Sequence, residues 1–247
     1  MTKKFENLTY EDFRQMAQDK TLSPYERSGF PDAYRAGYDE QIFSDIRSKL
    51  PALDENQQRV LDIGPGCTPL SALVLGHCRQ QGHTLTLVDS EEMLQYFPDE
   101  ASLRKVPGFF PDCFDVLQSE GGGFDVIICY SVLHYIFVEA SFWRFLDFGI
   151  KLLNNGGSLL IGDIPNISKR KRFFSSETGV RFHKEFMKTD TPPIVERDVV
   201  EVDKIDDSVL IGMIMRARAQ GCDAYWLPQA PTLPMANRRE DLLVTKP

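Results

Sequence analysis

Asp62 and Asp89 each close a short apolar run, and each is followed at once by residues that turn the chain or start a helix. In Arg59-Val-Leu-Asp-Ile-Gly-Pro-Gly-Cys-Thr-Pro-Leu-Ser71 the carboxylate of Asp62 stands just before Gly64-Pro65-Gly66. An ionised carboxylate only accepts hydrogen bonds, so Asp62 suits an ammonium or hydroxyl group better than a phosphate. Gly64 and Gly66 let the backbone approach a ligand more closely than any side chain permits. Asp89, next to Ser90, ends Thr84-Leu-Thr-Leu-Val-Asp. A carboxylate one βα unit beyond a glycine turn can accept both hydroxyls of a ribose. The plainer alternative is that Asp89 and Ser90 only cap the helix that Glu91-Glu-Met-Leu begins.

A glycine turn does not by itself choose among nucleotide ligands. The dinucleotide fingerprint needs a third small residue, and here that position is Pro69. No Gly-Lys-Ser/Thr follows, so a P-loop is excluded. An NAD-dependent oxidoreductase therefore stands as the weaker alternative.

The elements that must position these carboxylates follow from periodicity. Val60, Leu61 and Ile63 read as a buried strand, broken at Gly64-Pro65-Gly66 and followed by a helix bearing Leu70, Leu73 and Val74. Thr84 to Asp89 is a second strand, and a weaker third lies in Val106-Pro-Gly-Phe-Phe110. Val126-Ile-Ile-Cys129 is apolar on both faces, as a central parallel strand should be. Phe142 to Leu153 is an amphipathic helix stopped by Asn154-Asn-Gly-Gly157, and Ser158-Leu-Leu-Ile161 is a fifth strand. Ile205 to Gln220 reads as a helix, with strands at Cys222 to Leu227 and Arg239 to Thr245. The long connection between these last strands permits an antiparallel return.

An acidic residue followed by Gly-Pro-Gly resembles motif I of class I S-adenosylmethionine (SAM)-dependent methyltransferases, and Asp89 stands where their motif II does. Gly123-Phe-Asp-Val-Ile-Ile-Cys-Tyr-Ser-Val-Leu-His134 closely resembles motif IV of the members that do not act on nucleic acid, and Leu152-Leu-Asn-Asn-Gly-Gly-Ser-Leu-Leu-Ile-Gly-Asp163 their helix–Gly-Gly–strand element. The resemblance covers residues 59–165 well and the final strands loosely. It implies a Rossmann-like α/β fold: seven strands, helices on both faces, the last strand antiparallel. It also implies SAM as cofactor, held by Asp62, Gly64, Pro65, Gly66, Asp89 and Ser90. The family commonly places an acidic residue against the adenine amino group, which Asp112 fits, with the backbone of Cys113 beside it and Asp115 as competitor. Ligands of open α/β sheets lie at the carboxyl ends of strands, which puts Tyr130, Ser131 and His134 near the methyl-transfer centre. His134 is then the first candidate for a general base, with Asp163 and His183 as substitutes. Each also has a plainer role, as core histidine, turn cap or surface residue.

Two stretches lie outside the resemblance. Residues 1–51 are expected to form an N-terminal helical extension, either packed on the surface or acting as a lid over the site. Its Leu22-Ser-Pro-Tyr-Glu-Arg-Ser-Gly-Phe-Pro-Asp-Ala-Tyr-Arg-Ala-Gly-Tyr38 segment offers Tyr25, Tyr34, Arg35 and Tyr38 as contacts. Tyr34 and Arg35 are the substrate-binding candidates, since a guanidinium pairs with carboxylates. The domain proper is expected over 52–247, with an insertion on the substrate side at about 166–204. That insertion carries Lys169-Arg-Lys-Arg172 and His183, a solvated face in the plain reading and a hold on an acidic substrate in the functional one.

Composition narrows the class. With 42% apolar and 26% charged residues the chain of 247 can bury a full core. A net charge of −8 argues against a nucleic-acid surface. Five cysteines without C-x-x-C make a zinc module or disulfide framework improbable and suit a reducing cytoplasm. No apolar segment reaches membrane-spanning length, and Met1-Thr-Lys-Lys leads into polar sequence. No metal set stands out. The expectation is a cytoplasmic methyltransferase acting on an oxygen or nitrogen of a small molecule, such as a sugar or a phosphate- or carboxylate-bearing metabolite, with neither nucleic acid nor membrane as partner. A catalytically inactive SAM-binding partner subunit would show the same motifs.

Overall fold

The computed structural model describes residues 5, 7–119, 123–196, 199 and 201–247. The start of the N-terminal extension (residues 1–4 and 6) and part of the insertion (197, 198 and 200) lie outside the described residues. Among the described residues four α-helices precede the sheet, α1 (Tyr10–Gln18), α2 (Pro24–Arg27), α3 (Asp32–Arg35) and α4 (Asp39–Lys49), followed by a 3-10 turn at Pro51–Asp54. Alternation then begins with β1 (Arg59–Ile63), α5 (Pro69–Gln81), β2 (Thr84–Asp89), α6 (Glu91–Leu94), β3 (Leu103–Pro107) and α7 (Phe114–Ser119). It continues through β4 (Phe124–Tyr130), α8 (Leu133–Glu139), α9 (Phe142–Lys151) and β5 (Leu153–Pro165). The insertion supplies α10 (Ile167–Phe174) and α11 (Glu177–Met187), and the chain closes with α12 (Asp207–Ala219), β6 (Asp223–Pro228) and β7 (Arg239–Thr245).

The seven strands lie in the order β3-β2-β1-β4-β5-β7-β6. The first five are parallel, and β7 runs antiparallel between β5 and β6. Apolar residues on both faces explain the unbroken hydrophobic runs. In β4, Ile127 and Cys129 point into one core with Phe145 of α9 and Met213 of α12. Val126 and Ile128 point into the other, with Ile46 of α4 and Val74 of α5. The N-terminal α4 is thus a layer of the sandwich, sealed by Ile42, Ile46 and Leu50, each at most 1% exposed.

Local chemistry sets the boundaries. Pro69 starts α5 at a position where a missing N–H costs nothing, and Gly82 ends it in the left-handed region (φ +69°). The third strand spans Leu103–Pro107, displaced from the expected 106–110, because its partner β2 ends at Asp89, opposite Pro107. Polar Arg104 and Lys105 on this edge strand hide its period. Asn154 to Gly157, expected to stop a helix, lie instead within β5, where a bulge separates the pairs Phe124–Leu153 and Val126–Ser158. All five cysteines are free, and no described helix is long and apolar enough to cross a membrane.

Candidate active site

The turn after β1 is built for close approach. Gly64 and Gly66 both sit in the left-handed region (φ +70° and +64°). A Cβ on Gly64 would come within 2.6 Å of Val132 Cγ2, and one on Gly66 within 2.7 Å of Ser28 Oγ. Ser28 belongs to the N-terminal segment, and its hydroxyl also accepts the Cys67 N–H at 3.2 Å. The extension therefore lies directly on the glycine turn.

Two carboxylates face this turn from neighbouring strand ends. Asp62 is 5% exposed, and its carboxylate has no hydrogen-bond or ion-pair partner among the described residues. Burial, reinforced by the nearby charge of Asp89, raises its pKa from 3.8 to about 7. Asp89 accepts N–H groups of Ser90 (2.7 Å) and Gly66 (3.2 Å). Burial still dominates and lifts it to about 6. Ser90 is buried and caps α6 by accepting the Met93 N–H at 3.1 Å.

Asp89 borders a cleft of about 960 Å³, counted out to its open mouth; Asp62 and Ser90 lie behind its wall and do not line it. Gly64, Pro65, Gly66, Asp89, Tyr130 and Ser131 lie on its wall, as do Tyr25 and Arg35 of the N-terminal segment. Its opposite side is Gly108, Phe109 and Phe110, with the Tyr10 ring 4.9 Å from that of Phe109. Asp112 is exposed and Cys113 half-buried, and neither lines the cleft; nor does exposed Asp115. Sequence reasoning missed Tyr10, Phe13, Phe30, Tyr135 and Glu139, all on the wall. Glu139 accepts the Tyr10 N–H at 2.8 Å, tying α1 across to α8. The density of aromatic residues before α4 was the available signal, but it does not say which rings turn inward.

Behind the cleft runs a buried polar network. Arg35 Nη2 donates to both Ser131 Oγ and Asp163 Oδ2. The Arg35 guanidinium lies over the Phe30 ring, 4.3 Å from its centroid. Asp163 also accepts from Ser131 Oγ (2.6 Å) and Gln229 Nε2 (3.2 Å), with Arg239 Nη1 at 3.5 Å. Its own N–H donates to Asp241 Oδ1 at 2.8 Å, and Asp241 accepts Lys49 Nζ at 2.6 Å. Burial alone would raise the Asp163 pKa, but Arg239, Arg35, Ser131 and Gln229 together outweigh it and hold the carboxyl below its ordinary value. Asp163 thus has the surroundings of an anchor, its oxygens engaged by Arg35, Ser131, Gln229 and Arg239. Arg35 spends its charge inside the protein.

The remaining candidates are dispersed. His134 is half-buried beside Tyr135, with ring centroids 4.0 Å apart, and its buried Nδ1 has no partner among the described residues. Burial, with Arg239 adding to it, lowers its pKa to about 3, so the imidazole is neutral. His183 lies elsewhere, on a second cleft lined by Arg170, Lys171 and Phe174. Tyr34 stacks on Phe186 of α11 at 6.2 Å, bridging extension and insertion, and Tyr38 is 38% exposed.

Strand order, the reversed β7 and the carboxylates at the ends of β1 and β2 define the class I SAM-dependent methyltransferase fold. Solved structures agree. N-methyltransferase NodS from Bradyrhizobium japonicum, bound to S-adenosylhomocysteine (SAH), superposes with a TM-score of 0.54 at 14% identity, covering 95% of each chain. The plantazolicin methyltransferase BpumL with SAH gives 0.57 at 13% identity, covering 96% of both chains. A provisionally assigned O-methyltransferase from Nostoc punctiforme gives 0.54 at 14% identity over 95% of this chain, which spans only 60% of that protein's length. No family profile and no curated protein sequence matches the chain, so the likeness is one of fold.

Proposed function

We propose that this protein is a methyltransferase that uses SAM and methylates an oxygen or nitrogen of a small molecule. One observation carries the reading: Asp62 is a buried carboxylate without a partner, beside a glycine turn, in a sheet of methyltransferase order. An ammonium group is the ligand chemistry that satisfies it, as in the methionine moiety of SAM. Asp89 has ribose hydroxyls within its chemistry, and Phe109 and Phe110 offer an apolar wall for a purine ring. When bound, SAM supplies a sulfonium methyl already activated for in-line displacement. The protein's share is then positioning and exclusion of water. Tyr10, Phe13 and Phe30 cover the cleft, and Tyr130 and Ser131 at the end of β4 face the centre. Neutral His134 is the group available to take the acceptor's proton, on a nitrogen that has no other partner.

An inactive SAM-binding subunit draws support from two features: the Asp163 carboxylate is held by Arg35 and Arg239, and His134 is a weak base. The two readings part in solution. Calorimetric titration with SAM, SAH and NADH, on wild type and Asp89→Ala, tests the ligand. SAM and SAH binding that the substitution weakens is expected; binding of NADH alone would overturn the proposal. Methyl transfer from labelled SAM in an acceptor screen then separates enzyme from subunit, since the subunit reading predicts binding, no turnover and a stable partner in pull-downs.

A further inference from the structure

Arg238 stands one residue before β7, whose Arg239 pairs with Pro165 at the carboxyl end of β5. Its carbonyl accepts the Asn166 N–H at 3.1 Å, which fixes the residue just above the edge of the sheet where ligands of such folds lie. The side chain is half-buried, yet among the described residues it donates to one neutral group, Asn237 Oδ1, at 2.9 Å from Nη1. No ion pair to Arg238 occurs among the described residues. The cations around it are otherwise matched: Arg239 to Asp163, Lys169 to Glu240, Arg172 to Asp207. Arg170 is the exception, with its guanidinium on the Phe174 ring (5.7 Å) and no carboxylate partner among the described residues.

A half-buried guanidinium without a counter-ion is costly to maintain. Burial, with Arg239 and Arg170 adding to it and Tyr34 opposing, lowers the Arg238 pKa to about 10, so the charge remains at neutral pH. Asp163 is the carboxylate within electrostatic range, and its oxygens are taken by Arg35, Ser131, Gln229 and Arg239. Three further buried polar atoms associated with this network lack partners among the described residues, Arg35 Nε, His134 Nδ1 and Gln229 Oε1. In a protein of net charge −8, such a local excess of positive charge focuses anions onto one spot.

We propose that Arg238, with Arg170 beside it, anchors an anionic group of the methyl acceptor, a carboxylate or phosphate. The inference rests on the methyltransferase reading for what the anion belongs to, but not for the anion site itself: neither arginine is on the wall of the first cleft, and Arg170 lines the second one with His183. The planar fork of Arg238 suits two parallel hydrogen bonds to such a group. Sequence reasoning assigned this task to Arg35, which the fold has already committed to Asp163.

Inorganic phosphate and acetate, titrated into the SAH-equilibrated protein at constant ionic strength against chloride, test the site. Saturable binding of phosphate, of acetate or of both is expected, and the stronger of the two identifies the group. Arg238→Gln should weaken it at least tenfold, Arg238→Lys less, because charge remains without the fork, and Arg170→Gln several-fold. Arg79→Gln, which opens an exposed pair with Glu100 on α5, should leave it unchanged. Equal binding by wild type and Arg238→Gln, or no binding of either anion above chloride, overturns the proposal. SAH titration of the same proteins keeps the two conclusions apart. Anion binding without SAH binding removes the cofactor reading alone, and SAH binding without anion binding removes the anion site alone.

Discussion

Replacing Asp62 with Asn should make the ligand-free protein more stable while impairing it as a cofactor binder. The carboxyl lies at 5% exposure with no partner, and its pKa rises from 3.8 to about 7. A group that holds its proton more tightly folded than unfolded loses stability as pH rises between those two values. At about 1.4 kcal/mol per unit, the ionised carboxylate costs the fold up to about 4 kcal/mol above pH 7. Part of that comes from Asp89, so about 2–4 kcal/mol is recoverable by an uncharged side chain of the same shape. For a chain of this size the gain is roughly 5–15 °C in Tm at pH 8, shrinking toward zero at pH 4. The same change should weaken SAM at least about thirty-fold, as loss of one partner of a buried charge pair does. Thermal melts at pH 4, 6 and 8 with a SAM titration read both effects. A variant less stable than wild type at pH 8, or a gain independent of pH, would refute the reasoning, because either means that Asp62 is already paired.

Binding of SAH below pH 7 should release protons, since the ligand's ammonium drives Asp62 to ionise; calorimetry in two buffers of different ionisation enthalpy measures this, and no release contradicts it. Asp163→Ala leaves buried Arg35 and half-buried Arg239 without their shared partner and should cost about 3–5 kcal/mol in urea denaturation. A loss under about 1 kcal/mol would mean that the network does not hold the N-terminal segment to the sheet. His134→Asn should lower turnover and spare SAH affinity, and wild-type kcat should show no inflection from this residue between pH 5 and 8, because its pKa lies near 3. Unchanged turnover sinks the base assignment.

The sheet was legible wherever a strand is buried on both faces or flanked by turn residues. β1 with its glycine turn, β2 ending at Asp89, β4 and β7 fall where local pattern puts them, and Asp89 lies on the cleft wall while Asp62 sits behind it. The third strand slipped because it is an edge with Arg104 and Lys105 in its middle, and the position of Asp112 slipped with it. Arg35 shows a different limit. Its type suggested a ligand contact, but a charge so nearly buried takes the nearest counter-ion, and Asp163 is 128 residues away. The same holds for Arg238, whose lack of a counter-ion is a property of the assembled fold and has no trace in the neighbouring sequence.

The position of β7 also sets an order on how this molecule comes into being. The strands up to β5 can be laid down one βα unit at a time, each beside a neighbour already made. Until residues 239–245 arrive, β5 presents Leu159, Leu160 and Ile161 along an open, unpaired edge, and β6 has nothing to pair with. The same late strand carries Asp241, which receives Lys49 from a segment 192 residues earlier. A nascent chain at this stage therefore holds its glycine turn and strand-end carboxylates, an exposed hydrophobic edge and an incomplete buried polar network, the condition in which a chaperone has most to protect.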